Sequence, residues 1–201
     1  MLSNGFDFEF PTDSQLDSKF TLSHIGSLLE GRNPSVLWSV LSDLIEESEA
    51  FGAAFQLNLI GDVSSEVMDT IQGYGLEKHT HNIGYVAHKE LLKYQTKTQL
   101  LLLIEENSKE TEHIIPGKLF EYMASKRPII ALGPNSSDVE AILNETNSGT
   151  YFRYDEQVAL RSCLLQHFEA YKIQELHVNS KGLEMYSRKA LSQQLAQKLQ
   201  N

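Results

Sequence analysis

From Phe20 to Leu28 (Phe-Thr-Leu-Ser-His-Ile-Gly-Ser-Leu) apolar and polar positions alternate with a period of two, which predicts a strand. A helical spacing follows. Asn33-Pro34-Ser35 opens a helix to about Ser48, with Pro34 suited to the first turn and Leu37, Val40, Leu41, Leu44 and Ile45 on one face. Phe55–Gly61 predicts a second strand, and Ser64 or Ser65 caps a helix to about Tyr74, stopped by Gly75. His81–Val86 reads as a short strand and 88–96 as a helix. Gln99–Ile104 is a nearly continuous apolar run, as at the buried centre of a parallel sheet. A polar loop, 105–116, leads to a helix over Gly117–Lys126 and a strand over Pro128–Leu132. Ser136 or Ser137 caps a helix carrying Val139, Ile142 and Leu143, and Thr150–Arg153 is a last short strand. Helices over 155–172 and 179–199 close the chain.

Strand and helix alternate about six times, which predicts an α/β fold: a Rossmann-like, doubly wound, mostly parallel sheet of about six strands flanked by helices. Residues 1–19, polar and containing Asn4-Gly5 and Pro11, read as an entry linker to one domain over 20–201. In such folds ligands bind outside the carboxyl ends of the strands, so loops 26–34, 61–65, 84–88, 105–118 and 133–137 are the ones to inspect.

The chain has 201 residues, 41% hydrophobic, enough for a packed core. A net charge of −10 argues against a general electrostatic grip on nucleic acid or anionic lipid and leaves room only for a local basic pocket. The single cysteine, Cys163, excludes an internal disulfide framework and a Cys-rich zinc module and fits a reducing compartment. The amino terminus lacks the basic and apolar regions of a signal peptide, and no apolar run is long enough to span a bilayer. The expectation is a cytoplasmic protein.

Three loops offer chemistry. In the first, Gly26 lets backbone approach a ligand, Ser27 follows it, and Arg32 offers a bidentate phosphate contact ahead of a helix N-terminus. The alternative is a glycine turn beside a solvated arginine. In the second, Pro116 and Gly117 break the chain, so that Gly117, Lys118 and Leu119 present first-turn amides to an anion. Glu121, one turn on, can accept hydrogen bonds from a vicinal diol. Together these demands describe a nucleoside diphosphate, with ribose on Glu121 and pyrophosphate near Gly117, Lys118 and Leu119. Lys118 and Glu121 also fit as ordinary exposed helix residues. In the third, Tyr85 offers a stacking face and the Tyr85-Val86 backbone a base contact; a buried strand-end tyrosine explains the same residues.

Other chemistries find less support. His79 and His81 share a strand face with His88 nearby, but no ligand spacing supports a metal site, and no Asp-x-Asp is present. Cys163, beside Leu160, Leu164 and Phe168, reads as core rather than nucleophile. Tyr122-Met123 and Met185-Tyr186 read as packing. A nicotinamide oxidoreductase would need a glycine fingerprint that is missing.

In order along the chain, Ser3-Asn-Gly-Phe-Asp7, Gly26-Ser-Leu with Arg32, Leu59-Ile-Gly61, Gly84-Tyr-Val86 and above all Pro116-Gly-Lys-Leu-Phe-Glu-Tyr-Met-Ala124 with Arg127-Pro-Ile-Ile130 resemble the C-terminal half of a GT-B glycosyltransferase of family 4, or group 1. The resemblance implies a nucleotide-sugar donor domain without a further cofactor or metal. By it, Glu121 corresponds to the second glutamate of the family's E-x7-E motif, which holds the ribose. The first glutamate falls at His113, and Ser27 takes the place of the family's usual first arginine. Arg32, Lys118 and Glu121 are then the candidate catalytic residues; Gly26, Ser27, Tyr85, Val86, Pro116, Gly117 and Leu119 are the candidate donor-binding ones.

The resemblance also implies transfer of a hexose to a saccharide or lipid-linked acceptor in polysaccharide synthesis. It implies a separate N-terminal acceptor domain, without which this chain is inactive, and peripheral contact with the inner face of the membrane through that domain. The last helix, with Leu183, Tyr186, Ala190, Leu195 and Leu199, is expected to cross back to it with its apolar face partly exposed. A non-catalytic nucleotide-sugar-binding or interaction module of the same fold, or a nucleotide-sugar epimerase, remains an alternative.

Overall fold

The computed structural model describes residues 15–190 together with 192 and 193. The Ser3–Asp7 motif, most of the entry linker and the end of the last helix, with Leu195 and Leu199, lie outside the described residues. Six strands, β1 (Phe20–Ile25), β2 (Phe55–Ile60), β3 (Thr80–Gly84), β4 (Leu100–Ile104), β5 (Ile129–Gly133) and β6 (Gly149–Arg153), form one sheet in the order β3-β2-β1-β4-β5-β6. All five pairings are parallel.

Parallel strands need crossovers, and helices supply them on both faces. Leu22, Leu57, Leu59, Leu100 and Leu102 pack on one side with α1 (Ser35–Glu47), α2 (Glu49–Ala54), α3 (Ser65–Gly73) and α7 (Gln157–Lys172), where Phe20, Phe51 and Phe168 meet edge to face or tilted. On the other side, Leu101, Leu103, Ile129 and Ala131 meet α5 (Gly117–Ala124) and α6 (Asp138–Thr146), with α4 (His88–Lys97) leaning Leu91 and Tyr94 against them. The polar positions of β1 and β2 do not face water as simple alternation suggests; every residue of β1 is buried. Thr21, Ser23, Asn58 and Thr98 instead bond one another, Ser23 Oγ lying 2.7 Å from Thr98 Oγ1 and Asn58 Nδ2 donating to Ser23 Oγ at 3.2 Å. Such a network is tolerated in a core because its members are satisfied.

Several boundaries differ from the sequence expectation. β1 stops at Ile25, three residues early, because Gly26 turns at φ 112°. The segment before β2 folds as α2, with Ser48 accepting from the Phe51 amide. His79 belongs to a 3-10 turn, Glu77–His79, so it does not share a strand face with His81. The expected helix over 179–199 does not begin at 179. Gly182 takes φ 66°, Leu183–Tyr186 is a 3-10 turn, and helical residues resume at 188. Leu183 and Tyr186 are not an exposed face. Both pack on the α5–α6 side, with the Tyr186 ring 5.4 Å from Phe120. Cys163 packs against the aromatic core, as expected. Among the described residues no helix is long and apolar enough to cross a membrane.

The strand order reverses direction between β1 and β4. Crossovers from β1 run outward through β2 to β3, and those from β4 run the other way, so a crevice opens where β1 and β4 part. Their pairing ends at His24↔Leu102. Side chains take up the backbone groups released there. The Tyr122 hydroxyl accepts the Ile25 N–H at 2.9 Å and donates to Ile25 O at 3.2 Å, and His24 Nδ1 lies 3.1 Å from Leu102 O.

Candidate functional site

Above this crevice the ends of three neighbouring strands form a continuous rim. Gly26 N donates to Ile60 O at 2.7 Å and Gly61 N to Gly84 O at 2.8 Å. Gly61 has φ 129°, and a Cβ there would stand 2.6 Å from Gly26 O. Only glycine permits so close an approach of two strand ends.

Lys118 reaches this rim from the first turn of α5. Its Nζ donates to Ile25 O at 3.2 Å, lies 3.4 Å from His24 Nε2, and stands 3.2 Å from where a Gly26 Cβ would be. Glycine at 26 therefore makes room for the ammonium. Arg32, at the end of the 3-10 turn Glu30–Arg32, points Nη1 at Ser27 O from 3.5 Å. Burial, and next the Arg32 guanidinium, bring the Lys118 ammonium down to about 8; Glu121 opposes the shift. Among the described residues neither Arg32 nor Lys118 has a carboxylate within ion-pair distance. Two cations without an ion-pair partner thus meet at one glycine turn and make this edge locally positive in a chain of net charge −10.

Pro116 precedes α5 in extended conformation and Gly117 begins the helix. The Leu119 amide already donates to Pro116 O at 3.0 Å and its side chain is wholly buried. The Leu119 amide is thus engaged within the chain, while the Gly117 and Lys118 amides open the helix, where no preceding turn supplies a carbonyl. Glu121 lies half-buried one turn on, its Oε2 accepting from Gln95 Nε2 of α4 at 3.0 Å. Tyr85 is 91% exposed, which removes the buried alternative, while Val86 packs against the core on the α5–α6 side. Gly26, Ser27, Arg32 and Lys118 therefore converge; Pro116, just before α5, and Gly117 and Glu121 on it flank them; Tyr85 and Val86 stand at the outer end of the rim.

His113 does not join this cluster through a contact. Its exposed ring pairs with Asp138 at 3.5 Å. Sequence reasoning missed His24, Tyr122, Gln95 and Glu105. Burial, and next Lys118, hold His24 well below the usual histidine range. Glu105, at the end of β4, accepts from Ser137 Oγ at 2.8 Å and Tyr151 Oη at 2.9 Å, and burial pushes it up to about 7. A polar residue inside an apolar run, as His24 is, was the available signal. A cavity of about 790 Å³ opens at the opposite, amino edge of the sheet, lined by Gln15, Asp17, Gln99, Tyr171 and Lys172. Its mixed lining brings no like charges together.

Solved structures share this fold. Anabaena HepE in complex with UDP matches 91% of this chain at 15% identity, with a TM-score of 0.67. The C-terminal domain of the Francisella tularensis group 1 glycosyl transferase LpcC matches 84% of this chain and 89% of its own length, at 13% identity and a TM-score of 0.58. This chain has the fold of a GT-B C-terminal domain. S. aureus TarM, crystallised with UDP among other ligands, matches 98% of it at 16% identity and a TM-score of 0.65. The chain spans 49% of the HepE length and 38% of TarM. No protein-family model and no curated protein matches the sequence.

Proposed function

We propose that this GT-B domain is the donor-binding half of a glycosyltransferase and takes a nucleoside-diphosphate sugar at the carboxyl edge of its sheet. The observation that carries the reading is the convergence of Lys118 and Arg32, both unpaired, on the Gly26 turn at the switch point. The diphosphate sits between them and the Gly117 and Lys118 amides. Glu121 accepts from the ribose hydroxyls. Two strand spacings, about 10 Å, separate β3 from β1, which suits a base beside Tyr85 and phosphates at Gly26. The UDP complexes of HepE and TarM, which share the fold, support a nucleotide donor.

The mechanism follows from where charge grows. As the bond between sugar and diphosphate breaks, negative charge builds on the leaving diphosphate. Cations and amides already in place stabilise that charge more than they stabilise the bound donor, which lowers the barrier. They supply the counter-charge without a metal. A hexose donor, a saccharide or lipid-linked acceptor held by a separate N-terminal domain, a role in polysaccharide synthesis, and a cytoplasmic site with peripheral contact at the inner membrane face complete the proposal.

Thermal-shift titration with uridine, guanosine and adenosine diphosphates tests donor binding. A ligand at one hundred times its Kd stabilises the fold by about 2.7 kcal/mol. A shift with one diphosphate, lost in Lys118→Ala, is expected; no shift with any of the three at millimolar concentration overturns the reading. One observation favours a second reading. His113, where the resemblance puts a glutamate, is engaged with Asp138, as in a module that binds the nucleotide without transferring the sugar.

A further inference from the structure

Gln95 is 1% exposed on the inner face of α4. Its amide is used at one end only. Nε2 donates to Glu121 Oε2 at 3.0 Å, while Oε1 has no hydrogen-bond partner. Among the described residues it is the single buried side-chain nitrogen or oxygen left so. The amide cannot be turned over, because Oε1 would then face a carboxylate oxygen. Folded proteins rarely keep an orphaned buried acceptor, and the bond it accompanies returns little to the fold. Glu121 is only half-buried, so water could satisfy its carboxylate without Gln95. An apolar side chain of the same size would serve packing better.

The geometry points to Gln95 as the positioning residue for Glu121: by occupying Oε2 it fixes the carboxylate plane and leaves Oε1 as the acceptor presented to the ribose diol. This rests on the proposed donor-binding reading, in which Glu121 holds the ribose. A free glutamate side chain loses rotamer freedom when it binds a ligand, and that cost weakens binding. A carboxylate already held by Gln95 has lost the freedom beforehand. The gain applies only to ligands with ribose hydroxyls. Gln95 therefore acts on the discrimination between ribose and a sugar without the diol, not on phosphate binding.

The test is calorimetric titration of the full chain with uridine diphosphate and with its 2′,3′-dideoxy analogue, in wild type, Gln95→Met and Glu121→Ala. In Gln95→Met the preference for uridine diphosphate over the analogue should fall roughly three- to tenfold. Affinity for the analogue should stay unchanged, and the melting temperature should hold or rise because the orphan is gone. A melting temperature that drops while both ligands lose affinity equally makes Gln95 a packing residue and overturns the inference, as does an unchanged preference. Wild type without any preference, or Glu121→Ala that keeps it, removes the ribose contact itself, and the inference falls with that reading. Gln95→Leu repeats the measurement with a second apolar shape where the Met variant does not fold.

Discussion

The His24 ring, fully buried at the end of β1, lies 3.4 Å from the Lys118 ammonium, and its tautomer follows from the other nitrogen. Nδ1 lies 3.1 Å from Leu102 O, which can only accept, and Nε2 faces the Lys118 ammonium, which can only donate, so the proton is assigned to Nδ1. Nε2 then has a free lone pair and accepts from Lys118. The Ser27 carbonyl, 3.4 Å from the same nitrogen, cannot donate to it and only faces it. Burial keeps the ring neutral, which is what an acceptor for an ammonium must be. One buried histidine thus ties the opening of the sheet to the placement of the cation above it.

His24→Phe separates these two effects. Losing Nδ1–H strands the Leu102 carbonyl, a cost of about 1–3 kcal/mol in unfolding free energy. Losing Nε2 leaves Lys118 with Ile25 O alone, and affinity for a nucleoside diphosphate should fall roughly tenfold, about 1.4 kcal/mol. The bare nucleoside should lose nothing. Urea unfolding and calorimetry measure the two. An equal loss for nucleoside and diphosphate would show that His24 shapes the whole edge rather than the lysine.

The Lys118 ammonium, brought to about 8 chiefly by burial and next by Arg32, predicts a pH limit on diphosphate binding. Below pH 8 the lysine is charged and binds; above it the free protein must first take up a proton, so affinity falls toward tenfold per unit. Lys118→Arg stays charged throughout. Titrations between pH 7 and 9.5 should show wild type weakening and the arginine variant holding level. Parallel curves for the two proteins would assign the titration to another group.

Much of this was legible beforehand, and the reasons are local. The apolar run at Gln99–Ile104 has the length and texture of a central parallel strand, and Pro116-Gly117 with Lys118 and Glu121 marked the helix start and its polar face. His24 and Gln95 were hidden because their roles depend on contacts across 78 and 26 residues, which no periodicity records. Tyr122 looked like packing because its ring is packing; only the hydroxyl, bonded to Ile25, does more. The stretch from 179 misled because its apolar spacing is helical, while the left-handed turn at Gly182 breaks it.

The glycine rim predicts a sharp contrast between two glycines. Gly61→Ala places a Cβ 2.6 Å from Gly26 O and 2.8 Å from its carbonyl carbon, at φ 129°. Strain and overpacking together should cost roughly 2–4 kcal/mol. Gly73, the last residue of α3, has open space where its Cβ would go and no left-handed φ. Gly73→Ala should stabilise by about 0.4–1 kcal/mol. Chemical denaturation of the two variants decides; a Gly61→Ala protein as stable as wild type would mean that the strand ends part easily.

Glu105 predicts a pH dependence of stability with an unusual sign. Burial raises it from 4.5 to about 7, against the hydrogen bonds from Ser137 and Tyr151 and the charge of Arg32, with Asp138 adding to the rise. Between pH 4.5 and 7 the unfolded carboxyl has lost its proton while the folded one keeps it. The folded state then binds more protons, so stability falls as pH rises through that window and stays lower above it. The full loss is about 3 kcal/mol, from 1.36 kcal/mol per unit. Glu105→Gln keeps an acceptor for Ser137 and Tyr151 and has no proton to lose. Relative to wild type, its unfolding free energy should climb from pH 5 to pH 8 by up to about 3 kcal/mol. Urea unfolding of both proteins at the two pH values measures the gap, and a gap that stays constant would show that Glu105 ionises at its ordinary pH in the folded chain.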